Sequence, residues 1–409
     1  MKLFVTLALR NVFRNRARTA VALLAIAAGC AALIVNGGVI YNIFRELRED
    51  AIHGRHGHVQ IYERGYSEHH LLEPGRYLIP HDDAVRAIAA IRALPHVARA
   101  TRRREFSGMI SKGDRYVAFV GIGVEPEEDV EFSRHTTLRA GKGLSSEEPF
   151  GVIAGLGLAQ KFDGAPGALL TLMTNTDSGA LNAVDATLRG VFEGGLKEFD
   201  DWTLKAPLPA VEQLILDDRT EQIVLLLDRT ESVPGVMADL DALFRREGLE
   251  LEAKPWTELA LFHNQVVSLF QRELDVIKLI ISTIVILGIA NTIGMSIVER
   301  RVELATLRAL GLKAGIIGRL LMTEALLTGL MGGVIGVGLG VVIAAAVSAI
   351  GIPFPSPPGA TRPFLGGVDI VPGIVLFSFV LSVAATLAAA IFPVWKAVRR
   401  PIATTLRGG

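Results

Sequence analysis

The chain has 409 residues, half of them hydrophobic, and a mean hydropathy of +0.40, which is too apolar for an ordinary soluble protein. Its 42 lysines and arginines balance its 42 aspartates and glutamates, so the net charge does not indicate a nucleic-acid partner. The single cysteine, Cys30, excludes an intrachain disulfide, so any extracytoplasmic domain must be held by its own core.

The N-terminal segment is basic and contains no acidic residue, which is typical of a cytoplasmic segment. Residues Thr19 to Phe44 follow without a charge, and at ~1.5 Å per residue they are long enough to cross a hydrocarbon layer of roughly 30 Å. We therefore predict a cytoplasmic N-terminus at residues 1–18 and the first transmembrane helix at residues 19–44.

Residues 45–257 have the composition of a soluble α+β domain. Short β-rich runs and helical periodicities predict the following elements. The strands are expected at 57–62, 115–121, 168–174, 183–192 and 222–227, and the helices at 82–94, 156–162, 209–216 and 235–247. Because apolar helices flank both ends, we predict a large extracytoplasmic domain inserted between transmembrane helices 1 and 2.

Two polar features of this domain are open to a functional reading. Six histidines, at positions 53, 56, 58, 69, 70 and 81, fit no standard zinc spacing, so we expect exposed loop histidines and no metal site, with the role of the segment left open. The basic run Arg102–Arg104 and the acidic run Glu125–Glu131 are interpreted as solvated surface, with contact to a periplasmic partner as the alternative.

The rest of the chain alternates apolar and charged segments. We predict a stalk at 258–278 continuous with the second transmembrane helix at 279–298, a cytoplasmic segment at 299–319, the third helix at 320–349, an external loop at 350–369, the fourth helix at 370–394 and a cytoplasmic tail at 395–409. Basic residues cluster at both termini and between helices 2 and 3. The fold class is thus an α-helical membrane protein with four transmembrane helices and both termini cytoplasmic.

The junction after the second helix, Asn291 to Gly311, reads NTIGMSIVERRVELATLRALG. A membrane helix here meets a short amphipathic helix, in which Leu304 and Leu307 share one side with Ala305 or Arg308. Such a helix either lies on the membrane face or inserts into a groove on another protein, and physical pattern alone leaves both open.

This junction resembles the signature of the MacB, FtsX and LolC/LolE superfamily of ABC transporter membrane subunits. The resemblance implies that the segment is a coupling helix that docks on a partner ATPase. The residues that it assigns to this contact are Glu299, Arg300, Arg301, Glu303, Leu304, Leu307, Arg308, Leu310 and Gly311. Residues 151–227 are similar to the family's extracytoplasmic core, and the segment 56–62 resembles the lipoprotein-releasing LolC/LolE-like branch.

Other candidate residues lie within the membrane helices. Gly332, Gly336 and Gly340 recur every fourth residue and form a smooth face, for packing within the subunit or for a sliding interface between subunits. Asn291, with Thr292, is predicted to hydrogen-bond between helices. Glu324 lies one turn inside the third helix, where we expect it to pair with Arg300, Arg301, Arg308 or Arg319, or else to be solvated at the interface.

The sequence contains no G-x-x-x-x-G-K-[ST] phosphate loop, so we predict a non-catalytic subunit that binds no cofactor, with ATP and Mg on a partner. The resemblance implies a cytoplasmic ABC ATPase, a second permease copy or a paralogue, a periplasmic carrier or adaptor, and membrane lipid as partners, with no nucleic acid. It implies lipoprotein or lipid release at the bacterial inner membrane. The alternatives are a MacB-like tripartite export permease and an FtsX-like mechanotransducer that activates cell-wall hydrolases.

Overall fold

The computed structural model of the chain describes residues 2–14, 16–70, 72–73, 75–176, 178–354 and 364–399. The chain divides into two compact units. We call residues 45–266 the sheet unit, and we call the chain before residue 45 together with most of the chain after residue 266 the helical unit.

Helices of very different lengths occur in the two units. The longest are apolar, and the short ones connect or cover strands. In chain order they are α1 (Lys2–Arg14), α2 (Arg16–Ala51), α3 (Tyr66–His69), α4 (His81–Ile91), α5 (Pro126–Phe132), α6 (Leu156–Lys161), α7 (Lys197–Trp202), α8 (Leu208–Ile215), α9 (Val233–Glu247), α10 (Trp256–Leu259), α11 (Leu261–Glu299), α12 (Arg301–Ala309), α13 (Ala314–Ile350) and α14 (Pro372–Arg399), with a π-helical turn at Ile52–His56.

Four helices of the described residues are long and apolar enough to cross a membrane, at Thr19–His56, His263–Glu299, Ala314–Ile350 and Pro372–Arg399. The predicted stalk and second transmembrane helix form one continuous helix, α11. Residues 395–399, assigned above to the tail, are the last turn of α14. Residues 400–409 of that tail and residues 355–363 of the predicted external loop lie outside the described part of the chain.

The first helix, α1, was not predicted, because its arginines obscured its apolar face. Ala8 and Val12, one turn apart, are buried, and α1 packs against α13. The basic N-terminal segment is therefore largely an ordered amphipathic helix rather than a simple charged leader to α2.

The sheet unit is built on a ten-stranded mixed sheet with the order β10-β1-β9-β2-β3-β8-β5-β7-β4, in which β6 pairs with β2 and β7. Its strands are β1 (Val59–Glu63), β2 (Val97–Lys112), β3 (Arg115–Val124), β4 (Thr137–Gly141), β5 (Gly151–Gly155), β6 (Leu169–Asn175), β7 (Leu181–Glu193), β8 (Thr203–Pro207), β9 (Gln222–Leu227) and β10 (Leu251–Pro255). Two further short strands, β11 (Ile352–Phe354) and β12 (Phe364–Gly366), pair with each other elsewhere in the chain.

Two hydrophobic cores hold the sheet unit. One packs α4 and α9 against β1 and β9, and the other packs α6 and α8 against β3, β5, β6 and β7. Every residue of β9 is buried, as a continuous apolar run in the middle of a covered sheet should be. The unit therefore has a core of its own without disulfides.

The interpretation of the two charged runs as solvated surface is wrong for Arg103, Arg104 and Asp129, which are buried. Arg103 and Arg104 lie on β2 in the interior of the sheet, and Asp129 lies on α5. The carboxylate of Asp129 accepts hydrogen bonds from Lys205 at 3.0 and 3.2 Å, so opposite charges satisfy each other inside the unit.

The expectation of exposed loop histidines is wrong for His58, which is 3% exposed. Its Nδ1 accepts a hydrogen bond from the Leu227 N–H at 3.1 Å, and its Nε2 lies 3.2 Å from the Thr230 hydroxyl. His53 is half-buried and stacks on His135. No group of His, Cys, Asp and Glu side chains within the described residues is arranged to hold a metal ion.

Candidate coupling site

The junction between α11 and α12 is a break of one residue. Arg300 leaves the helical region with φ −92° and ψ 11°, and the nine-residue helix α12 starts at Arg301. At its other end Gly311 has φ +97°, the left-handed region that glycine adopts without cost. The Leu312 N–H donates to the Leu307 carbonyl and the Gly311 N–H donates to the Arg308 carbonyl, which together form a Schellman C-cap.

The most apolar side of α12 faces its own chain. Leu304 and Ala305 are buried, and Leu304 joins a core with Ile317 and Val394. Leu307 packs against the same core, as does Leu312 after the cap. Leu304 and Leu307, which the resemblance assigns to the ATPase contact, pack against α13 and α14 in this chain, and Leu307 remains half-buried.

The opposite side of α12 is exposed and only partly polar. Val302 is 55% exposed and Leu310 is 75% exposed, and Thr306 lies between them at helical spacing. Arg301 and Glu299 are also exposed beside this row. We call Val302, Thr306 and Leu310 the outer face of α12. The sequence shows their i, i+4, i+8 spacing, but the leucines on the other side gave the stronger signal.

A network of charged and amide groups ties α12 to two other helices. Arg300 donates to Glu324 at 2.8 Å and to Glu303 at 3.3 Å, and Arg14 of α1 donates to Glu303 at 2.6 Å. Asn11, also on α1, donates to the second oxygen of Glu324 at 2.6 Å. We call these five side chains the junction network. The pairing of Glu324 with Arg300 was one of the four predicted pairs, whereas Asn11 and Arg14 were missed.

The two halves of the junction network differ in burial. The side chains of Arg300 and Glu324 are 12% and 15% exposed, whereas those of Arg14 and Glu303 are 53% and 38% exposed. Hydrogen bonds from Arg14, and then from Arg300, lower the pKa of the Glu303 carboxyl to about 2. Glu303 is thus ionised at any physiological pH.

The glycine face of α13 contacts α2 of the same chain. A Cβ placed on Gly332 would meet Ile26 at 2.8 Å, one on Gly336 would meet Cys30 at 2.6 Å, and one on Gly340 would meet Ile34 at 3.1 Å. The helices approach this closely only because these positions have no side chain. Cys30 is fully buried at this crossing.

The predicted hydrogen bonds from Asn291 and Thr292 to another helix are not made among the described residues of this chain. Thr292 donates to the Gly288 carbonyl of its own helix at 2.9 Å, as hydroxyls in apolar helices commonly do. Asn291 is exposed, has no hydrogen-bond partner among the described residues, and lines a cavity beside α12.

Comparison with known families decides the class of protein. Residues 19–243, more than half of the chain, match the family model of the MacB-like periplasmic core domain. Residues 276–402, which include the junction, match the FtsX-like permease C-terminal model. The chain belongs to the MacB, FtsX and LolC/LolE superfamily of ABC transporter permeases. Permeases of this family are membrane subunits that work with an ATPase partner.

Individual relatives of this permease are distant. The lipoprotein-releasing system transmembrane protein LolC of Neisseria meningitidis is 24% identical over 200 residues, 47% of this chain and 48% of the relative. LolC of Xylella fastidiosa is 23% identical over 331 residues, 78% of this chain and 75% of the relative. The chain thus spans about half of the first relative's length. The solved periplasmic region of MacB from Actinobacillus actinomycetemcomitans has a TM-score of 0.38 at 12% identity, over 53% of this chain and 95% of that one.

Proposed function

We propose that this permease couples ATP hydrolysis by a separate ATPase subunit to movement of its sheet unit outside the membrane, and that this movement extracts lipoproteins or lipids from the inner membrane. The exposed outer face of α12 carries the proposal. An apolar row on a short helix, beside exposed charges, has the anchors that a helix uses in a partner's groove.

The proposal places α12 and both termini in the cytoplasm of a bacterial cell and the sheet unit in the periplasm. Its support is the distribution of basic residues, which cluster at the N-terminus, around α12 and at the end of α14. Four spans with both termini inside put all three clusters on one side.

The junction network supports a mechanical role for α12. Arg300 and Glu303 connect α12 to α1 and α13. A partner that shifts α12 therefore also exerts force on these two helices. For ATP to drive a cycle, the ATP-bound ATPase must bind one arrangement of the helices more tightly than the other, since equal affinity for both would shift nothing.

The cargo and the remaining partners are proposed from the relatives. Both LolC proteins are named for lipoprotein release. We accordingly propose a lipidated cargo, a second permease copy or a paralogue in the complex, and a periplasmic carrier that receives the cargo. The match to the MacB-like domain favours export through a periplasmic adaptor as the second candidate function.

The docking role is tested by replacing one residue of the outer face. Leu310→Asp puts a charge into the ATPase contact, and we expect the affinity for the cognate ATPase to fall about thirtyfold, which is ~2 kcal/mol for a central anchor. Leu181→Asp, at a position of the sheet unit that is 74% exposed, is the control and should bind normally. Quantitative co-purification in detergent measures both, and normal binding by Leu310→Asp would exclude this face.

The cargo is tested by mass spectrometry of material that co-purifies with the complete permease–ATPase complex. We expect acylated protein or lipid. Recovery of a membrane-fusion adaptor instead would favour export, and recovery of a cell-wall hydrolase would favour a transducer. A complex that carries neither acylated protein nor lipid would contradict the first choice.

A further inference from the structure

A cavity of about 550 Å³ lies within the helical unit, between α11, α12, α13 and α14. Its polar lining consists of Asn291, Arg301, Arg308 and Lys396, and the other lining residues in the described part of the chain are apolar or glycine. Three cations therefore face one space, and no carboxylate is among its lining residues in the described part of the chain. This charge pattern fits an anion and opposes another basic surface.

The apolar wall of the cavity continues onto the exposed surface of the membrane helices. Leu287 is 65% exposed, Met295 is 54% exposed and Phe392 is 66% exposed, and all three line the cavity. They lie on helices long and apolar enough to cross a membrane, so their exposed surface faces hydrocarbon. The space is thus open to the bilayer and not only to water.

An aromatic side chain lies where the cationic end of the cavity begins. Trp395, next in sequence to Lys396, is 51% exposed, and the guanidinium of Arg399 stacks over its ring at 4.5 Å. Tryptophans at helix ends favour the level of lipid headgroups. Lys396 therefore lies at headgroup depth, while Leu287, about 18 Å before the end of α11, reaches into the hydrocarbon layer.

We propose that this cavity binds one anionic phospholipid, with its phosphate held by Arg301, Arg308 and Lys396 and an acyl chain lying along Leu287 and Phe392. A basic pocket between transmembrane helices is the usual receptor for such headgroups. The site does not include the outer face of α12. That the lipid comes from the cytoplasmic leaflet rests on the proposed function.

The bound lipid would add a polar connection between two elements that an apolar core already holds together. Arg301 and Arg308 belong to α12, and Lys396 belongs to α14. A phosphate shared between them tethers the coupling helix to the last membrane helix. The anionic lipid content of the membrane would then set how freely α12 moves.

The test uses the full-length permease, reconstituted in nanodiscs with equal amounts of phosphatidylglycerol and phosphatidylcholine, then extracted and examined by native mass spectrometry. We expect about one phosphatidylglycerol per chain and little phosphatidylcholine. The variant Arg301→Gln/Lys396→Gln should lose retention about thirtyfold, or ~2 kcal/mol for two cations. The control Lys313→Gln/Arg319→Gln removes two exposed cations of the same region that do not line the cavity, and it should retain the lipid.

A second pair of variants separates the effect of the cavity's volume on lipid binding from the effect of its cations. Gly294 lines the cavity and has no atom within 4 Å of a Cβ built on it, so Gly294→Phe should fill the space and expel the lipid with every cation in place. Gly288 is equally open but does not line the cavity, and Gly288→Phe should retain the lipid.

Four results would overturn the proposal. They are equal retention of both lipids by the wild type, equal losses in the site and control charge variants, retention by Gly294→Phe, and lipid binding that appears only when residues 400–409 are removed, since the tail would then be the occupant. ATPase co-purification is measured on Gly294→Phe, which leaves Arg301 and the outer face of α12 unchanged. Loss of lipid with normal ATPase binding in this variant separates this site from the docking face.

Discussion

Lys205, Asp129 and Arg103 form a buried charged cluster in the sheet unit. Lys205 and Asp129 are hydrogen-bonded at 3.0 Å, Ser133 donates to Asp129 at 2.8 Å, and Arg103 donates to the Arg55 carbonyl at 2.6 Å. Burial opposes ionisation of Asp129, but Lys205 and Arg103 outweigh it and hold the pKa of the carboxyl below its ordinary value. Asp129 is therefore ionised, and it depends on both cations.

Removing one cation from this cluster should be costly. Lys205→Met leaves Asp129 buried with Arg103 at 3.7 Å, and we expect a loss of about 3–5 kcal/mol in the free energy of unfolding of the sheet unit. The control Lys197→Met breaks a pair with Asp201 whose lysine is 68% exposed, and it should cost less than about 1 kcal/mol. Thermal unfolding measures both variants. Equal losses of stability would show that burial of the Lys205–Asp129 pair does not increase its contribution to the free energy of unfolding.

His58 should make the stability of the sheet unit depend on pH. Burial lowers the pKa of His58 to about 4 from its ordinary 6.5, and protonation of Nδ1 would end its hydrogen bond with the Leu227 N–H. The unfolded chain binds this proton at a higher pH than the folded chain does. The stability contribution is therefore complete above pH 6.5 and is lost as the pH falls from 6.5 towards 4.

Unfolding followed through tryptophan fluorescence at several pH values tests this dependence. His58→Gln should flatten the loss of stability between neutral and acid pH, whereas His69→Gln, at an exposed position of the same segment, should leave the profile unchanged. An unchanged slope in His58→Gln would assign the acid sensitivity to other groups.

At the scale of elements, uninterrupted hydrophobic patterns predicted helices and strands correctly, whereas segments that mix apolar and charged residues did not. The apolar run 222–227 forms β9 as predicted, and the helix predicted at 156–162 is α6. Strand β2 was missed because four arginines interrupt its apolar residues. Their carboxylate partners lie on α5, on α8 and in loops, so only the tertiary structure shows that these charges are compatible with a strand in the middle of the sheet.

Helix α12 shows the same limit at the site itself. Its periodicity correctly predicted an amphipathic helix, but periodicity cannot say which neighbour covers the apolar side. The sequence interpretation assigned Leu304 and Leu307 to a partner protein, whereas α13 and α14 of the same chain cover them. The outer face of α12, whose hydrophobic periodicity is weaker in the sequence, is the side that stays exposed for a partner.

The crossing of α2 and α13 should tolerate no added methyl group. Gly336→Ala would place its Cβ 2.6 Å from Cys30 and 2.9 Å from the Ala27 carbonyl, so the helices must separate, at a cost of about 1–3 kcal/mol. Gly338→Ala, two residues along the same helix in open space, should be neutral or stabilising by up to about 1 kcal/mol. Thermal unfolding in detergent compares them, and similar midpoints would mean that this crossing is loosely packed.

At the scale of the whole molecule, the junction network is where a signal at α12 reaches other helices. Asn11 and Arg14 bring α1 to the junction, and Glu324 brings α13. The pair of Arg14 and Glu303 is half exposed and contributes little to stability by itself. Arg300 and Glu324 are mostly buried, so their pair is the part of the network whose loss the structure cannot compensate with water.

We therefore expect the Arg300–Glu324 pair to be needed for coupling. Glu324→Arg places two cations together, and permease-dependent stimulation of ATP hydrolysis should fall at least about tenfold, equivalent to ~1.4 kcal/mol. The exchange Arg300→Glu/Glu324→Arg restores opposite charges and should recover part of the stimulation. Recovery is incomplete because the new carboxylate at position 300 approaches Glu303, now 3.3 Å from the Arg300 Nε.

The measurement is ATP hydrolysis by the cognate ATPase in vesicles, with and without the permease, after equal assembly of each variant has been verified. Arg319→Glu, an exposed position of α13 outside the junction network, should retain stimulation. Full stimulation in Glu324→Arg would show that α12 acts without α13. A loss that the exchange does not relieve at all would assign Glu324 a role through Asn11 and α1, since the Asn11 amide is its other partner in the described structure.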